Sequence, residues 1–62
     1  MLEYTKQILT KVSFDKVLFR KELTKAMNWL KKEDKNLLKV WCIGTFGHHY
    51  GDVIMQVFKK LS

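Results

Sequence analysis

Apolar residues recur at intervals of three and four along this chain, and no proline interrupts them in 62 residues. Sustained alternation, the mark of a half-buried strand, does not occur. The pattern therefore specifies an all-α chain. Residues 1–62 make a single small helical domain, and a chain of this length buries only about 60% of the surface its unfolded form exposes. A core that small is commonly reinforced by a disulfide, a metal or a partner. Cys42 is the only cysteine, so an intrachain disulfide is excluded. The expected architecture is a compact three- to four-helix bundle, with a homodimer or a place in a larger assembly as a source of further burial.

The first helix is expected over roughly residues 3–11, with Tyr4, Ile8, Leu9 and Val12 near one face. "VSFDKV" then reads as a helix start. Ser13 can accept the backbone N–H of residue 15 or 16, Asp15 suits the positive end of the dipole, and Val12 and Val17 occupy the two positions of a hydrophobic staple. A second helix is expected from Phe14 to about Lys32. Phe19, Leu23, Ala26, Met27 and Leu30 share one arc of it, with Leu18 and Trp29 widening that arc on one side. The opposite arc carries Arg20, Lys21, Lys25, Lys31 and Lys32, while Asp15 and Glu22 lie by the Leu18–Trp29 flank.

"KKED" reads as a junction, where two lysines close one helix and two acids open the next. A third helix from about Glu33 to Phe46 would turn Leu37, Leu38, Trp41, Cys42 and Thr45 inward. Gly47 is placed as its left-handed stop. The last segment, "HHYGDVIMQVFKKL", puts Tyr50, Ile54, Val57, Phe58 and Leu61 on one stripe of a fourth helix, with Lys59 and Lys60 at the favourable end of its dipole.

"WCIGTFGHHYGDV", residues 41–53, is the one stretch with the ingredients of chemistry. Cys42, His48, His49 and Asp52 are all competent metal ligands, but zinc spacing requires paired ligands and four in total, and neighbouring histidines diverge on any regular backbone. Cys42 lies between apolar residues, which suits a buried structural thiol better than an activated nucleophile. The glycines have neither the spacing nor the lysine of a phosphate loop. The stretch is read as a turn between two helices, with Gly44 permitting close packing, and no cofactor or metal is expected.

Charge is the remaining signal. Twelve basic residues against six acidic ones leave a formal +6, and Arg20 is the only arginine. Such an excess favours acidic partners. Lysine contacts phosphate as a point charge without reading bases, so sequence-specific recognition is not expected. The favoured function is a non-catalytic binding module, an accessory component docking on RNA or a ribonucleoprotein through Arg20, Lys21, Lys25, Lys31 and Lys32. Lys16 and Lys35 would extend this face, and Lys6 and Lys11 would approach it. The rival is a protein–protein adaptor or a subunit of a larger complex, docking through an apolar surface of Leu18 and Trp29, for which the lysines only confer solubility. A membrane-active cationic helical peptide is a third reading, opposed by the six acids and the well-formed caps. No acid–base or nucleophile arrangement stands at usable spacing, so catalysis is not expected. No stretch approaches the roughly 20 apolar residues of a membrane span, and no signal peptide is seen, so a cytoplasmic location is expected.

Overall fold

The computed structural model describes residues 2–61, with the side chain of residue 61 left out. The fold is all-α, with three helices and no strand among the described residues: α1 (Leu2–Lys11), α2 (Lys16–Met27) and α3 (Lys32–Leu61). The core consists of Leu9 from α1, Phe19, Leu23, Ala26 and Met27 from α2, Leu30 from the following turn, and Leu38, Cys42, Phe46, Val53, Ile54, Val57 and Phe58 from α3. All five residues of the arc expected on the second helix are therefore buried. Phe19 sits at the centre, edge-on to Phe46 at 5.1 Å between ring centroids and 4.8 Å from Tyr50. Truncating a ring so placed costs about 3–5 kcal/mol.

The α1–α2 junction falls later than its cap signals suggest. Asp15, not Ser13, is the N-cap: its Oδ1 accepts the backbone N–H of Val17 at 2.9 Å and of Leu18 at 3.3 Å. Ser13 instead closes α1, donating its hydroxyl to the Thr10 carbonyl at 2.7 Å. The hydrophobic staple is absent, because moving the cap two residues onward leaves Val17 75% exposed and Phe14 79% exposed.

Further on, α2 ends at Met27 instead of continuing to Lys32. Asn28 caps it, and the amides of Trp29 and Leu30 both turn back to the Ala26 carbonyl. That tight turn carries Leu30 into the core while Lys31 and Lys32 move beyond the helix.

The expected stop at Gly47 is corrected by α3, which continues to Tyr50 before the last helical segment begins, so that the third and fourth expected helices are two arms of one kinked element. No glycine has a positive φ among the described residues, and helical structure runs past Gly47 to a single non-helical residue, Tyr50 (φ −127°, ψ 23°). A straight helix of 30 residues would be about 45 Å long. The molecule measures 26 × 22 × 19 Å, so α3 folds back at Tyr50 into an N-terminal arm up to His49 and a C-terminal arm from Gly51. The stretch 41–53 is thus helix with one bend.

Inward positions shift with it. Leu38 and Cys42 are buried and Trp41 half-buried, but Leu37 is 57% exposed and Thr45 is exposed. On the C-terminal arm Ile54, Val57 and Phe58 are buried as expected, and the place assigned to Leu61 lies outside the described side chains. On α1, Leu9 is buried, but Tyr4 is exposed and Thr5 takes an inward position.

Two long-range bonds hold the bend against the start of α2. The Tyr50 hydroxyl donates to the Ser13 carbonyl, and Lys16 Nζ lies 3.0 Å from Asp52 Oδ2. Ring packing on Phe19 and Phe46 fills the inside of the bend.

Candidate nucleic-acid interface

The acidic residues determine which cations remain available. Glu3 pairs with Lys6 at 3.5 Å, Asp52 with Lys16 at 3.0 Å, and Glu22 approaches Lys25 at 4.0 Å. Asp15 is spent on the α2 cap, and Glu33 and Asp34 sit in the first turn of α3, where they favour the dipole. Arg20, Lys21, Lys31, Lys32, Lys59 and Lys60 are exposed and have no ion pair among the described residues.

The five cations expected on one helix face are distributed over four places. Arg20 borders a cleft between α2 and the C-terminal arm of α3. Lys21 lies on the solvent side of α2. Lys25 lines a groove on the opposite flank, with Tyr4, Ile8 and Trp29. Lys31 and Lys32 occupy the turn and the first residue of α3. Of the proposed extensions, Lys16 is tied to Asp52. Lys6 and Lys11 border the α1–α3 groove, where Lys6 Nζ lies 5.7 Å from the Trp41 ring centroid.

The cleft beside Arg20 is bordered by three cations. About 820 Å³ in volume, it is lined by Arg20, Thr24, Gln56, Val57, Lys59 and Lys60. Arg20 and Thr24 are one turn apart on α2, and the Thr24 hydroxyl donates to the Arg20 carbonyl at 2.8 Å, fixing that side chain. Gln56, Lys59 and Lys60 come from successive turns of the C-terminal arm, brought to α2 by the bend at Tyr50. Lys59 and Lys60 also complement the negative end of the α3 dipole. That end is equivalent to only about half a charge, so two ammonium groups leave a positive surplus.

Sequence reasoning missed Lys59 and Lys60 as partners of Arg20. They were legible as helix-end cations, and nothing in the one-dimensional pattern said which neighbour that end would meet.

The two apolar contact residues differ in exposure and in place along α2. Leu18 is half-buried near the start of α2, whereas Trp29 is 58% exposed beyond its end, in the groove with Tyr4 and Ile8. A separate apolar strip, Leu37, Val40 and Ile43, is exposed on the N-terminal arm of α3.

Cys42 is fully buried, and burial pushes its thiol up to about 12; it is therefore a protonated core residue at neutral pH. His48 and His49 are exposed on the helix before the bend. No cluster of three or more His, Cys, Asp or Glu able to hold a metal exists among the described residues. No helix among them is long and apolar enough to cross a membrane. No protein-family model, curated protein or solved structure matches this chain.

Proposed function

We propose that this protein is a non-catalytic binding module that docks on RNA or a ribonucleoprotein through unpaired cations of α2 and the C-terminal arm of α3. One observation carries the reading. The acids neutralise Lys6 and Lys16, approach Lys25 or serve helix termini, while Arg20, Lys59 and Lys60 border one cleft with no carboxylate lining it among the described residues. Lys21, exposed on α2 next to Arg20 in sequence, and Lys31 and Lys32, beyond the end of α2, add charge. A solvated amphipathic helix needs no such segregation, whereas a phosphate backbone is attracted by it. With a single guanidinium, the interface favours backbone over base contacts.

The adaptor reading rests on a different observation, the exposure of Trp29 and of the strip Leu37, Val40 and Ile43. Trp29 at the mouth of a groove with Tyr4 is the kind of aromatic that anchors protein interfaces.

Purification of the tagged protein from its native host, split between nuclease-treated and untreated halves, separates the two. RNA that co-purifies and is lost on nuclease treatment supports the first reading. A single protein partner that survives both nuclease and raised salt contradicts it and moves attention to Trp29.

A further inference from the structure

We propose that the cleft between α2 and the C-terminal arm of α3 takes a terminal phosphate monoester, the 5′-phosphate end of an RNA strand, with Arg20 as the anchor and Lys59 and Lys60 as flanking charges. The inference rests on the RNA-docking reading and narrows it to a place and a chemical group.

Three cations reach this one concavity from two separate elements, and Lys21, Lys31 and Lys32, though exposed, are not among its lining residues. A phosphodiester within a strand carries one negative charge and two non-bridging oxygens. A terminal monoester carries about −1.5 to −2 at neutral pH and three strong acceptor oxygens. The monoester's larger charge and third acceptor oxygen therefore suit a concavity bordered by three cations better than the diester does.

Arg20 is the appropriate anchor. Its planar fork grips two phosphate oxygens at once, which a lysine cannot do, and it stands within regular helix, one turn before Thr24. Gln56, a neutral amide donor, and Val57, which is buried, complete the lining. Lys21, Lys31 and Lys32, lying outside the cleft, are left to follow the strand that trails from its end.

Two 3′-labelled single-stranded RNA 12-mers of one sequence, bearing either a 5′-phosphate or a 5′-hydroxyl, provide the test by fluorescence anisotropy with the full chain. The phosphorylated strand is expected to bind about tenfold more tightly, the effect of roughly one charge-assisted hydrogen bond. Arg20→Gln combined with Lys59→Gln and Lys60→Gln is expected to abolish the preference, and Arg20→Lys to reduce it, with far-UV circular dichroism verifying the fold. Lys21→Gln combined with Lys31→Gln and Lys32→Gln is expected to weaken both strands alike and leave their ratio unchanged.

Equal binding of the two strands, each still sensitive to salt, overturns the terminal-phosphate assignment while the RNA-docking reading stands. Failure of either strand to bind at low salt overturns both. A phosphoserine peptide that binds the cleft more tightly than the phosphorylated strand overturns the RNA end as its ligand.

Discussion

The Tyr50 hydroxyl donates to the Ser13 carbonyl at 2.5 Å, joining the bend of α3 to the turn between α1 and α2. Tyr50 is also the one residue of α3 that leaves helical geometry, so the residue that redirects the chain is the residue that anchors it. Because the bend carries Lys59 and Lys60 to Arg20, this contact supports the cleft at a distance.

Tyr50→Phe keeps the ring against Phe19 and removes only the hydroxyl. It is expected to cost about 1 kcal/mol, since the half-buried Ser13 carbonyl loses its donor. Tyr50→Ala, which also removes the aromatic packing, is expected to cost about 3 kcal/mol or more. Urea unfolding of the three proteins measures both, and a Tyr50→Phe protein as stable as the parent would show that packing alone sets the bend.

The Lys16–Asp52 pair is the second tie at the bend. Its hydrogen bond from Lys16, followed by the backbone N–H of Val53, holds the Asp52 carboxyl below the usual carboxylate range. A lowered folded value means that the contribution is fully present above the unfolded carboxylate pKa and is lost as pH falls through the folded one. NMR titration of Asp52 is expected to show this depressed midpoint, and Lys16→Gln should return it toward the ordinary range. Both groups are exposed, so added salt should reduce the shift.

Cys42 titrates in the opposite direction. Burial raises its thiol from the ordinary 9.0 to about 12, so the folded state keeps a proton that the unfolded state releases. Stability contributed by this group should decline as pH rises above 9, and at pH 8 a thiol-alkylating reagent should label the native protein no faster than the protein opens. Rapid stoichiometric labelling of the folded chain would place Cys42 at the surface.

The three glycines test the corrected course of α3. A Cβ built at Gly44 or Gly51 meets nothing within 4 Å, and one at Gly47 meets only Ile43 Cγ2, at 3.8 Å, an ordinary contact. None has positive φ. Gly44→Ala and Gly47→Ala are each expected to stabilise by about 0.5–1 kcal/mol, as alanine does inside a helix. A left-handed stop at Gly47 would instead make its substitution destabilising, and thermal melts distinguish the two signs.

Much of the fold was legible where periodicity alone decides. Phe19, Leu23, Ala26 and Met27 are buried because helical spacing brings them to one side, whereas Leu30 reaches the core through the turn after α2. Boundaries were less legible. Ser13 and Asp15 are both good caps, and the choice between them depends on where α1 stops, which the Ser13–Thr10 bond settles. Gly47 carries the stronger local stop signal, yet the turn occurs at Tyr50, where Ser13, Phe19 and Phe46 supply contacts that no local pattern records. The same limit applies to the basic surface. Arg20 was identifiable from its own helix, whereas its grouping with Lys59 and Lys60 depends on the bend.

The central claim is that unpaired cations around Arg20 bind a phosphate backbone, and the salt dependence of affinity for a single-stranded RNA tests it most directly. With Arg20, Lys21, Lys31, Lys32, Lys59 and Lys60 engaged, log K against log salt should fall with a slope of about −4, and replacing Arg20, Lys59 and Lys60 together by Gln should flatten it to about −2. A slope near zero, or one unchanged by those substitutions, would contradict the account.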